Sequence, residues 1–194
     1  ILSFEKDKLI DNKNLKIDRL LGRTLENTGR FVIIDQDEII RKTQNSNLSI
    51  KDKEVTQLVK IGEILRADAI ILGRISDIKE QLKNRATIKV EVTIEAKLLD
   101  LNKEEVVFCE KVRGIGETKT SSPNQADYNL AYKQATQKAV TQIADKLTHL
   151  FPLLGYVVQV SGDKVIIDIG EEKKIKQGDV FIVFRLEEQG LVDK

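Results

Sequence analysis

From Ala86 to Leu98 the chain alternates without a break. Ala86, Ile88, Val90, Val92, Ile94, Ala96 and Leu98 are apolar, and Thr87, Lys89, Glu91, Thr93, Glu95 and Lys97 between them are polar or charged. A period of two puts one set on each face of a strand, so the even-numbered face is expected to be buried and the odd-numbered face solvated. Asp100-Leu101-Asn102-Lys103 has the composition of a turn, and Glu104 to Ile115 returns as a second strand. The pair predicts a long antiparallel hairpin.

Upstream the pattern switches between periods. Leu15, Leu20, Leu21 and Leu25 form a loose helical stripe from Lys13 to Asn27, which Gly29 ends. Ile1-Leu2-Ser3-Phe4 reads as the tail of a strand, and Phe31-Val32-Ile33-Ile34 as a short apolar strand. Asp35 is placed to cap a helix over 36–44, and Asn45-Ser46-Asn47 breaks the pattern as a loop. Val55, Leu58, Val59, Gly62 and Leu65 share one helical face. Gly62 there lowers helix propensity by up to ~1 kcal/mol, which close packing onto a sheet would explain. Ala69 to Ile75 follows as an almost uncharged strand, expected to be central, and Glu80 to Asn84 as a polar connection. Pro123 opens a helix running to about Leu150, with Ala131, Ala135, Ala139, Ile143 and Leu147 along one side. Pro152 and Gly155 end it.

Beyond Pro152 the helical period disappears. Tyr156 to Val160, Val165 to Ile169 and Val180 to Phe184 read as three short strands, with turns at Ser161-Gly162-Asp163 and Gln177-Gly178-Asp179. The expected fold class is therefore α/β (α+β). Residues 1–151 form a mixed sheet with helices packed on it, and 152–194 form a small all-β, barrel-like module. A small barrel ordinarily has about five strands, so this one is expected to be incomplete.

Composition narrows the function. Hydrophobic residues make up 41% and charged residues 32%, enough for a core and too patterned for long disorder. Lys and Arg number 32 against 31 Asp and Glu, a net charge of +1, which excludes nucleic-acid binding through a strongly basic chain. No apolar run approaches the roughly 20 residues of a spanning helix. The one cysteine, Cys109, excludes an internal disulfide and a four-cysteine zinc site, and the one histidine, His149, excludes two-histidine metal sites. Methionine is absent even at position 1, so the numbering is expected to begin inside a longer polypeptide, with any signal peptide or lipid anchor outside it.

Each chemical candidate has a structural reading beside it. Gly114-Ile115-Gly116-Glu117-Thr118-Lys119-Thr120 stands where a phosphate loop would, but no glycine precedes Lys119 as a Walker loop requires, so it is read as a strand end entering a loop. Asp35, Asp37 and Glu38 complement a helix amino terminus. His149 suits the last turn of a helix, and no Gly-x-Ser-x-Gly elbow supplies it with a nucleophile. Cys109 is read as a packing residue rather than a nucleophile. Tyr128 and Tyr132, one turn apart, are read as sharing a packing face rather than forming a stacking platform. No catalytic, cofactor-binding or metal residue is assigned, and no cofactor is expected. An enzyme built from scattered residues is the remaining alternative.

Three stretches carry a resemblance: Asn27 to Asp35, Ile61 to Gly73, and Val92 to Asp100. In order and content they resemble the domain shared by the curli-secretion protein CsgG, the flagellar H-ring protein FlgT and the lipoprotein LpoB, with the amino-terminal domain of TolB as a more distant relative. The tail, from Gly155 to Gly170 and Ile175 to Val183, is similar to the carboxy-terminal barrel of FlgT. The resemblance implies a non-enzymatic accessory or assembly protein of the bacterial cell envelope. It implies protein partners in an envelope complex, self-association into a ring, no nucleic acid and no direct membrane span. The implied location is the periplasm, with an outer-membrane tether outside this chain. Two alternatives follow from the same family: a CsgG-type outer-membrane secretion pore subunit, and an LpoB-like lipoprotein activator of a cell-wall synthase.

Overall fold

The computed structural model describes residues 4–5, 16–44, 54–84 and 86–185. The expected strand start at 1–3, the helix start at 13–15 and the loop at 45–47 lie outside them. The chain forms two compact units, Ile1–Leu154 and Gly155–Lys194.

In the first unit the elements are β1 (Phe4–Glu5), α1 (Ile17–Glu26), α2 (Gln36–Thr43), α3 (Val55–Leu65), β2 (Ala69–Lys83), β3 (Thr87–Asp100), β4 (Glu105–Lys119) and α4 (Gln125–Leu150). The sheet has the order β1-β2-β3-β4. β1 runs parallel to β2, and β2, β3 and β4 form an antiparallel meander. The even-numbered face of β3 is buried as its alternation requires: Ile88, Val90, Val92 and Ile94 are inaccessible to solvent. α4 lies across that face of β3 and β4, and α1 lies against α4. α2 and α3 pack on the opposite face at one end, where Ile39, Leu58, Ile61 and Leu65 meet Ile70 and Leu99 in a second core.

α4 begins with a capping box. The Asn124 side chain accepts from the Ala126 and Asp127 amides at 2.8 and 3.2 Å, and the Asp127 carboxylate accepts from the Asn124 amide at 3.2 Å. The alanine stripe then lets helix and strand backbones touch. A Cβ on Gly114 would stand 1.8 Å from the Ala135 carbonyl oxygen, and one on Gly116 would stand 1.9 Å from that of Ala131. Gly62 is likewise hemmed in, but by the Leu101 side chain of the β3–β4 turn, from which its Cβ would be 2.2 Å. On α3 the buried stripe is Leu58, Ile61, Gly62 and Leu65, while Val55 is 41% exposed.

Four expectations need correction. Phe31-Val32-Ile33-Ile34 joins no sheet. Phe31 meets Phe151 edge to face at 5.9 Å and Ile33 packs on the main core, while Val32 points to solvent, so the apolar run seats an extended segment. β2 continues past Ile75 to Lys83, so Glu80 to Lys83 is strand rather than connection. The stretch Gly114 to Lys119 lies within β4, which removes the phosphate-loop geometry altogether. In the second unit only β5 (Val157–Ser161) and β6 (Lys164–Ile167) pair, followed by a short 3-10 turn at Glu171–Lys173. Val180 to Phe184 carries no strand, and no barrel closes among the described residues. Gly162 takes the left-handed conformation, φ 61°, that the β5–β6 turn requires.

Candidate functional site on the open face of the sheet

α2 and α3 cover only one end of the second face of the sheet. On the rest of it, cross-strand pairing over β2, β3 and β4 aligns Gln81–Lys89–Glu117, Lys79–Glu91–Ile115, Asp77–Thr93–Arg113, Arg74–Glu95–Lys111 and Leu72–Lys97–Cys109. Directly opposed residues on one face interact, and here most of them are charged. Glu95 accepts from Arg74 Nε at 2.6 Å and lies 3.1 Å from Lys111 Nζ. Glu91 accepts from Lys89 Nζ and from Arg113 Nη1, the latter at 3.3 Å. Two glutamates, each held by two cations, form the centre of this face. Their side chains are only 14% and 26% exposed, so the odd-numbered face is better shielded than a solvated face implies.

The cations fix the charge state. The Lys89 hydrogen bond, reinforced by the charges of Lys89, Arg113 and Lys79, holds the Glu91 carboxyl below its ordinary 4.5 despite partial burial. Hydrogen bonds from Arg74 and Lys111 do the same for Glu95. A carboxyl with a depressed folded-state pKa stabilises the fold above its unfolded value and loses that contribution as pH falls through the folded value. Thermal melts should therefore show a stability decline beginning below about pH 4.5. The double variant Glu91→Gln, Glu95→Gln should melt lower at pH 7 and decline less steeply in acid. Parallel pH profiles would assign the acid loss to other carboxylates.

The residues singled out from the sequence fall in separate places. Asp35 caps α2, its Oδ1 accepting from the Glu38 amide at 2.8 Å, and Glu38 pairs with Lys42 at 2.7 Å. Asp35 and Asp37 also line a polar cleft of about 350 Å³ facing Arg19 and Arg23 of α1. His149 is exposed in the last turn of α4, with Nδ1 2.7 Å from the Asp145 carbonyl oxygen. Tyr132 is buried and donates its hydroxyl to the Glu80 carboxylate. Burial and that carboxylate push its phenol far above the ordinary value, and Tyr128 packs half-buried beside it against the main core. The shared packing face is thus correct. Cys109, expected to be a packing residue, is instead exposed on the open face of β4. Among the described residues no three His, Cys, Asp or Glu side chains converge to hold a metal.

Sequence reading passed over Arg74 and Lys97. They line a cleft of about 510 Å³ where α3 meets the open face, whose apolar walls are Val55, Leu58, Leu72, Leu99 and Val106. The signal was present as a charge at nearly every odd position of β3, but it was read only as solvation. Beyond this face, no helix among the described residues is long and apolar enough to cross a membrane.

The fold is thus an α+β module: an antiparallel meander with helices on both faces, one face left partly open. No family model and no curated protein matches the sequence. Among solved structures, the chain is similar to a lipoprotein of Neisseria meningitidis, with a TM-score of 0.46 and 13% identity over 75% of this chain and 92% of that one. It is similar to a hypothetical protein of Chlamydia trachomatis, with a TM-score of 0.44 and 10% identity over 74% and 91%. It is also similar to the carboxy-terminal domain of LpoB from Salmonella enterica, with a TM-score of 0.39 and 15% identity over 58% and 76%.

Proposed function

We propose that this chain is a non-enzymatic assembly or accessory protein of the bacterial cell envelope that holds a protein partner in the periplasm. One observation carries the reading: β4, Glu105–Lys119, is the terminal strand of the sheet, and no described strand pairs with its outer edge. An unpaired edge of that length is a template for strand addition, with main-chain hydrogen bonds supplying affinity and alternate side chains supplying selectivity. Its odd residues Cys109, Lys111 and Arg113 face the charged lattice, so an incoming strand would be read beside a defined row of cations. The motif resemblance at Asn27 to Asp35, Ile61 to Gly73 and Val92 to Asp100 supports the envelope setting. The order of an α+β unit followed by a β-hairpin unit favours the flagellar member of that group.

Cys109 supplies the test, because it is the single cysteine, is exposed, and sits on β4. A photo-crosslinker attached there should capture one protein from the envelope fraction and none from the cytosol. The double variant Lys111→Glu, Arg113→Glu should lose that capture with little change in melting temperature, since its ion pairs are more than half exposed on the cation side. Absence of capture, or equal capture by the charge-reversed variant, would overturn the proposal. The same protein, added without detergent, should leave liposomes sealed; stepwise currents in a planar bilayer would favour the pore reading instead.

A further inference from the structure

The cleft between the start of α3 and the open face is a second kind of surface, independent of the β4 edge. Its volume of about 510 Å³ falls in the range of small-molecule sites. Its walls are aliphatic throughout, and two of them, Val55 and Val106, are 41% and 51% exposed. Three charged residues complete the lining: Arg74, Glu95 and Lys97, a net charge of one cation. Glu95 is already committed to Arg74 and Lys111, at 2.6 and 3.1 Å. Among the described residues Lys97 has no carboxylate partner, so an anion could pair with it without breaking an existing ion pair. The floor excludes another occupant. At Gly73 and Arg74 the backbone of β2 is paired with β1 on one side and β3 on the other, so a peptide strand finds no free ladder there.

We infer that this cleft binds a free single-chain amphiphile, its aliphatic body against Val55, Leu58, Leu72 and Val106 and its anionic head on Lys97. Apolar walls supply most of the affinity, and one unpaired ammonium fixes the orientation and favours a carboxylate over a neutral head. The absence of aromatic side chains among the lining residues suits an alkyl chain rather than a planar ring.

The test is calorimetric titration of the whole chain with decanoate below its micelle concentration, with decanol as the uncharged analogue. One decanoate per chain is expected. Lys97→Gln should weaken decanoate binding about tenfold while leaving decanol unchanged. Val106→Asp, at a half-exposed wall position, should abolish binding of both. Ile182→Ser, in the 87% exposed apolar segment of the second unit, should change neither. Loss of binding in Ile182→Ser but not in Val106→Asp would overturn the inference in favour of adsorption to that segment. Binding to anionic phosphatidylglycerol vesicles without binding to decanoate would overturn it in favour of a membrane surface. No heat with decanoate would also overturn it.

Discussion

Gly114→Ala is expected to lower stability by about 3 kcal/mol, or ~10 °C in melting temperature for a chain of this size. The added methyl would stand 1.8 Å from the Ala135 carbonyl oxygen and 2.7 Å from the Ala139 amide nitrogen, both backbone atoms. No rotamer change relieves a clash with backbone, so α4 has to lift from β4. Lifting it opens the core that Ala131, Ala135, Ala139 and Ile143 close against the sheet. Gly170→Ala is the matched control. Its new methyl would meet only the flexible end of Glu172, at 3.2 Å, and should cost no more than about 0.5 kcal/mol. Equal melting temperatures for the two variants would mean that α4 is not seated on the glycines of β4.

Val92→Asp tests the other half of the same core. Val92 is fully buried on the even face of β3, between Val90 and Ile94 in a layer without polar partners nearby in the strand. An aspartate there must either remain ionised without water or take up a proton, and the cost is expected to be at least about 3 kcal/mol at pH 7. Lys97→Gln, on the opposite face and exposed, should stay within about 0.5 kcal/mol. Denaturant midpoints distinguish the two directly. A midpoint for Val92→Asp equal to that of Lys97→Gln would show that the face assignment of β3 is wrong.

What was legible in the sequence was whatever had an unbroken period. β3 alternates through its whole length, and α4 announces itself with a cap and an alanine stripe, so both were read nearly to their ends. β2 was cut short because a bulge between Ile75 and Asp77 interrupts its register. Before it the residues facing α4 are Ile71 and Ile75; after it they are Ile78, Glu80 and Leu82. A strict alternation test sees the pattern fail at Ser76 and stops. Phe31 to Ile34 and Val180 to Phe184 failed for the opposite reason. Their composition favours strands, but pairing depends on a neighbour that local composition does not encode. The open face was the least legible feature. Its ion pairs join residues 21 and 22 positions apart, such as Arg74 with Glu95 and Arg113 with Glu91. Along one strand they look like independent solvated charges, and only the register of three strands brings them together. Lys97 became noticeable only once its neighbours had been paired with one another.

The bulge at Ser76 makes β2 sensitive to length more than to identity. The Ser76 hydroxyl is buried without a hydrogen-bond partner, so the side chain itself contributes little that alanine would not. The extra backbone position is another matter, because it sets the phase of everything that follows. Shortening the chain there by one residue while keeping the β2–β3 register upstream would turn Asp77, Lys79 and Gln81 onto α4 and expose Ile78 and Leu82. Lengthening it by one would scramble the same rows. Insertions and deletions at this point would exchange the two solvents of half a strand, whereas substitutions would leave each side chain in its own.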